Sequence, residues 1–265
     1  MKFIVITNQS LHAQAMALAG VDRIMVDLEI NGKEQRQGHL DTVISRHSFD
    51  DIINIRSALN KVACGELMVR INPLNPFSQS EIEEVIACGA DRIMLPMFTH
   101  PDEVRLCLKF IRERVPLTLL VETAAALARL HTILNVPGFD DVHIGLNDLH
   151  LDMGLDFMFE LLSSNLLDGA ARMMSELNIP FGIGGIACLG TGLLPAELIL
   201  AAHLRLGSER VILSRSFNQS IEDGASPEIE IHKIRSFLER DDLNLNEMYN
   251  DLERIVASIA SSRRS

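Results

Sequence analysis

Eight short runs rich in β-branched residues recur along the chain, and several are apolar at consecutive rather than alternate positions. They are FIVIT (3–7), RIMVDLE (23–29), LMVRIN (67–72), RIMLPM (92–97), LTLLVET (117–123), DVHIGLND (141–148), PFGIGGI (180–186) and RVILSRSF (210–217). A strand that is apolar on both faces must be covered on both, which is the condition of a parallel sheet wrapped by helices. Segments of helical period lie between the runs. SQSEIEEVIACGA closes on Gly89, and THPDEVRLCLKFIRERV carries Pro101 in its first turn. AAALARLHTIL, FMFELLSSNLLDGAARMMSELN and LLPAELILAAHLRLG fill later gaps. The phrases GVDRIMVDLE and GADRIMLPMF echo one another, as repeated helix-to-strand units would.

The alternation predicts a (β/α)8 TIM barrel over residues 1–217, with a doubly wound open sheet as the competing arrangement. A chain of 265 residues suits one such barrel. Residues 218–265 are then an extension. SPEIEIHKIRSFLER and LNEMYNDLERIVASIA read as two helices joined by the acidic RDDLN, and the basic tail SSRRS is expected to fray.

Charge excludes whole classes of partner. With 24 basic against 36 acidic residues the net charge is −12, which opposes binding to nucleic acid or to an anionic membrane surface. No apolar run approaches the length of a membrane span or a signal peptide. Cys64, Cys88, Cys107 and Cys188 form no Cys-x-x-Cys pair, so reduced thiols in a cytoplasmic protein are expected.

Polar residues collect where the apolar runs end. Asp27 and Glu29, Arg70 and Asn72, Glu122, Asn147 and Asp148, and Ser214 and Arg215 all fall at the carboxyl ends of strands, where barrel enzymes carry their chemistry. Glu122 and Asp148 end consecutive strands and are therefore neighbours at the mouth. Two close carboxylates share a proton or bind a cation, and oxygen-only ligands favour Mg²⁺ or Mn²⁺. A salt-bridged cluster around Arg70 would satisfy the same residues without a metal. Ser214 and Arg215 are read as pairing with Asp27 or Glu29 to close the barrel. The run GIGGIACLGTG (182–192) supplies either tight turns or a phosphate cradle.

The ordered series VDLE, VRIN, MLP, LLVET and IGLNDL resembles the HpcH/HpaI aldolase and citrate lyase β-subunit family over roughly residues 15 to 217. The resemblance implies a barrel of the phosphoenolpyruvate/pyruvate type in which Glu122 and Asp148 hold Mg²⁺ or a similar ion. It also implies that Arg70 binds the oxyanion of a 2-oxo acid or enolate. Asp27 and Glu29 are expected beside it among the catalytic groups, with Asn72, Asn147 and Gly185 in contact with substrate. Oligomers are usual in such a family, so a trimer or hexamer with exchanged C-terminal helices is implied. The chain departs from the family at Ile30, where a histidine or aspartate usually transfers a proton. His39, with Asp41 two residues on, is the best local replacement, and His47 is second.

These expectations describe a metal-dependent carbon–carbon lyase acting on a 2-oxo or hydroxy acid through a metal-bound enolate. A phosphoenolpyruvate/pyruvate-type phosphoryl-transfer enzyme and a non-catalytic metabolite-binding homologue are the alternatives. The loop over residues 30–47, with Lys33, Glu34, Gln35, Arg36 and His39, is expected to select the partner substrate.

Overall fold

The computed structural model describes residues 1–30 and 47–264. The first half of the chain runs β1 (Lys2–Ile6), α1 (Ser10–Leu18), β2 (Arg23–Asp27), α2 (Phe49–Val62), β3 (Glu66–Arg70), α3 (Ser78–Ala87), β4 (Arg92–Leu95), α4 (Pro101–Ile111) and β5 (Leu117–Val121). Next come α5 (Ala124–Ala128), α6 (Leu130–Leu134), β6 (Asp141–Ile144), α7 (Leu146–Asp152), α8 (Glu160–Ser163), α9 (Leu166–Glu176), β7 (Phe181–Ile186), α10 (Ala196–Leu206) and β8 (Arg210–Leu213). The chain ends in α11 (Arg215–Glu222), α12 (Pro227–Leu238) and α13 (Leu245–Arg264). All strand pairs are parallel, and β8 returns to β1, so the sheet is a closed (β/α)8 barrel rather than an open one.

Most expected strands overshoot at their carboxyl ends. β6 stops at Ile144 rather than at 148, and β8 at Leu213 rather than at 217. Apolar composition continues into the βα loops because these pack against the barrel rim, so composition cannot mark where pairing ends. Two expected helices are broken, one at Arg129 and one at Asn165, whose φ of 56° is left-handed. The helices α1 and α2 were not among the expected segments; a Ser48–Asp51 capping box starts α2. The tail expected to fray instead continues α13 through Arg264.

The echoed phrases have a physical origin. The aspartate before β2, β4 and β6 accepts the backbone N–H of the preceding strand's first residues: Asp22 from Phe3 at 2.9 Å, Asp91 from Leu67 at 2.8 Å and Asp140 from Leu117 at 2.8 Å. The residue that follows each one enters a polar plug at the amino end of the barrel. There Arg23 donates to Glu66 (2.6 Å) and Asp141 (2.8 Å), and Arg92 donates to Glu66 (2.8 Å). Burial opposes the Asp141 charge, but Arg23, Arg92 and a hydrogen bond from Thr118 hold its pKa below the ordinary value. Above the plug lies an apolar layer of Ile4, Met25, Met68, Met94 and Leu120, backed by Ile6 and Ile212. The remaining apolar core fills the space between strands and helices. The polar mouth therefore rests on a dry, packed floor.

The last two helices dock on the barrel. Leu252, Val256 and Ala260 of α13 are buried, and the Tyr249 hydroxyl donates to the Leu162 carbonyl at 3.2 Å. Arg205 lies over the Tyr249 ring at 4.1 Å.

Candidate active site

The mouth is built around Arg70 at the end of β3. Its Nε donates to Asp27 Oδ1 at 2.8 Å and its Nη2 to Asp27 Oδ2 at 2.7 Å, a two-pronged contact in register across β2 and β3. Glu29 Oε2 lies 3.5 Å from the same guanidinium. Burial opposes the Arg70 charge, but Asp27, then Glu29 and Glu122, raise its pKa beyond the ordinary arginine value. The Asp27 backbone N–H donates to His47 Nδ1 at 2.9 Å, which makes Nδ1 an acceptor and puts the proton of the neutral ring on Nε2.

Glu122 follows β5 and is 2% exposed. Its Oε1 accepts the Met97 N–H at 3.1 Å. Met97 achieves this with a φ of 55°, a left-handed conformation that costs about 1–2 kcal/mol for a residue with a side chain. The Glu122 pKa is raised well above its ordinary 4.5, first by burial, then by the negative charge of Glu29, with Asp148 adding to it and Arg70 opposing. Asp148, also buried, does not end a strand. It sits in the first turn of α7, directly after the Gly145 cap, where the helix favours a carboxylate. Gly145 lies close against the β5 unit: a Cβ there would fall 3.0 Å from both Cβ and Oε2 of Glu122.

The other expected residues divide. Asn72 bridges loops, its Oδ1 accepting the Ile30 N–H at 2.9 Å and its Nδ2 donating to Glu81 at 2.7 Å. Asn147 is half-buried in α7 beside Asp148. Gly185 lies against β8, where a Cβ would be 3.1 Å from the Ile212 carbonyl and 3.8 Å from Ser214 Cβ. His39, with Lys33, Glu34, Gln35 and Arg36, lies outside the described residues. The closure expected from Arg215 is not made: Arg70 faces Asp27 and Glu29, and no hydrogen bond or ion pair of Arg215 occurs among the described residues. The glycine-rich loop after β7 gives its Gly190 N–H to Glu197 Oε1 at 2.9 Å. A carboxylate on that amide disfavours a phosphate there. Sequence reasoning missed Met97 and Gly145; the Pro96–Met97 turn and the glycine between β6 and α7 were their only signals.

Among the described residues, four carboxylates, Asp27, Glu29, Glu122 and Asp148, share the mouth with two guanidiniums, Arg70 and Arg215. Among the described residues no group of three or more His, Cys, Asp or Glu side chains is arranged to hold a metal ion.

The HpcH/HpaI aldolase/citrate lyase family model matches residues 1–160. A search of curated proteins found no match. Among solved structures, an HpcH/HpaI aldolase from Desulfitobacterium hafniense superposes with a TM-score of 0.63 at 16% identity, covering 92% of this chain and 95% of that one. An HpcH/HpaI aldolase/citrate lyase family protein from Burkholderia cenocepacia gives 0.63 at 16% identity, covering 88% and 94%. A variant of the citrate synthase SbnG gives 0.58 at 15% identity, covering 89% and 95%. At such identities the superpositions speak for the fold, and the family model speaks for descent. The chain belongs to the HpcH/HpaI aldolase/citrate lyase family.

Proposed function

We propose that this chain is a divalent-metal-dependent carbon–carbon lyase that cleaves or forms a 2-oxo or hydroxy acid through an enolate. The observation that supports it is the state of Glu122. This buried carboxylate is pushed well above its ordinary pKa beside Glu29 and Asp148, which is what a cation at the mouth would relieve. The donor set fits the group. Glu122 and Asp148 would hold Mg²⁺ or Mn²⁺ as all-oxygen ligands, the donor type these hard cations take. Such an ion supplies Lewis acidity that stabilises negative charge on the 2-oxo acid oxygens.

For a 4-hydroxy-2-oxo acid the C3–C4 bond breaks. The C4 hydroxyl loses its proton and becomes an aldehyde, and the bonding pair passes to the pyruvate enolate, which is then protonated at C3. Asp27 and Glu29 position Arg70 for this step. With Nε and Nη2 held by Asp27, Arg70 has Nη1 to donate to the substrate carboxylate or enolate oxygen. Asn147 and Gly185 line the substrate side, and Asn72 holds the loops that frame it. His39 is proposed to take the hydroxyl proton, with His47, whose Nδ1 accepts the Asp27 N–H, as the second candidate.

The test is hydrogen–deuterium exchange at pyruvate C3, followed by proton NMR in D₂O with Mg²⁺ or Mn²⁺. Metal-dependent exchange that is lost in Arg70→Met supports the reading. Exchange that never exceeds the metal-only background removes it.

A further inference from the structure

We infer that Arg215 is a specificity-determining residue that binds a second anionic group on the substrate, at the end remote from the 2-oxo acid carboxylate. The inference rests on the proposed 2-oxo acid site and adds the substrate class to it.

Arg215 opens α11 immediately after β8, and the helix that carries it is fixed to the barrel. Ser214 caps it by accepting the Phe217 N–H at 3.3 Å, and Phe217 is fully buried. Asn218 donates to the carbonyl of Ile6, the last residue of β1, at 3.1 Å. Ser214 N–H in turn donates to the Ile186 carbonyl at the end of β7 at 2.7 Å. Three neighbouring strands therefore hold the start of α11 at the mouth, so Arg215 projects from a rigid element rather than from a loop.

The two arginines of the mouth are in opposite states. Arg70 is half-buried, its side chain 12% exposed, and has its Nε–Nη2 edge on Asp27. Arg215 is solvent-accessible and, among the described residues, has no hydrogen bond or ion pair. Partial burial, and then the charge of Arg70, lower its pKa, while Asp27 and Asp148 oppose the shift. It remains a cation, since guanidinium does not deprotonate in proteins. A cation on a rigid element, facing another cation and in an ion pair with neither Asp27 nor Asp148, gains from an anion. The Ser214 and Ser216 hydroxyls, 2.7 Å apart, stand at the same turn and add hydrogen-bonding capacity. A terminal carboxylate or phosphate fits this planar, two-pronged donor.

The experiment compares three matched 2-oxo acids that differ at the far end: methyl, carboxylate and phosphate ester. Their binding to the full chain is measured by calorimetry with Mg²⁺, for wild type, Arg215→Gln and Arg215→Lys. Wild type should prefer one anionic end over methyl by about 10–100-fold, and the preferred anion identifies the group. Arg215→Gln should bring the ratio near unity, with Arg215→Lys in between. Equal binding of all three by wild type, no binding of any, or an unchanged ratio in Arg215→Gln overturns the inference. Because binding is read without turnover, pyruvate C3 exchange on the same samples separately reports whether the lyase reading stands.

Discussion

Gly145→Ala is a single methyl group placed against the carboxylate on which the proposed metal site depends. The Gly145 backbone has φ −85° and ψ 96°, which alanine adopts readily, so backbone strain is not the source of any effect. The added Cβ would lie 3.0 Å from Glu122 Cβ, 3.0 Å from Glu122 Oε2 and 3.2 Å from Leu120 Cδ1. Each neighbour must yield by a few tenths of an ångström. Leu120 is packed in the dry layer beneath, and Glu122 is held on its other oxygen by Met97. Overpacking of this kind costs about 1–3 kcal/mol of stability. A displaced ligand should also weaken metal binding by about 10–100-fold, as disturbing the supports of metal ligands does elsewhere. Thermal unfolding with chelator measures the first effect, and Mn²⁺ titration by calorimetry measures the second. If the variant melts 3 °C or more lower, about what 1 kcal/mol implies for a domain of this size, yet binds Mn²⁺ as wild type does, the link from Gly145 through Glu122 to the metal is refuted.

Further outcomes follow from the same geometry. Asp27→Asn leaves the half-buried Arg70 without its carboxylate partner, and should lower kcat/KM by at least about 100-fold in steady-state assays of lyase turnover. Burial and the charge of Glu29 raise the Glu122 pKa in the metal-free protein, so the apparent Mg²⁺ affinity should rise with pH and binding should release protons, read by calorimetry in buffers of different ionisation enthalpy. His143 and His203 are fully buried, and burial depresses their pKa values to about 4 and about 3. The unfolded chain then takes up protons below pH 6.5 that the folded one refuses, so each costs stability on the order of 3 kcal/mol by pH 4, and denaturant titrations of His143→Gln should show a shallower acid loss. Gly182→Ala, whose Cβ would fall 2.5 Å from His143 Nδ1 and 2.8 Å from the Arg210 carbonyl, should destabilise by about 3 kcal/mol in urea unfolding.

The barrel was legible because consecutive apolar positions demand cover on both faces, and eight such runs with helices between them close most simply in a ring. The boundaries were not. DVHIGLND reads as one strand, yet the chain turns at Gly145 and carries Asn147 and Asp148 into a helix, because apolar Leu146 packs as well in a helical turn as in a strand. The carboxylates and Arg70 were legible as charges at the ends of apolar runs. Their pairing was not: Asp27 could have met Arg70 or Arg215, and only the register of β2 with β3 decides for Arg70. The support of Glu122 by a backbone N–H at Met97 leaves almost no trace in residue types, since any non-proline residue carries that donor.

The central claim is that Glu122 and Asp148 together bind one divalent cation, and direct titration tests it most closely. Mn²⁺ is added to the metal-free chain, to Asp148→Asn and to Glu122→Gln, with calorimetry reading affinity and stoichiometry. The account predicts one site in wild type and binding at least about 100-fold weaker in each variant. Equal affinity in all three proteins would contradict it.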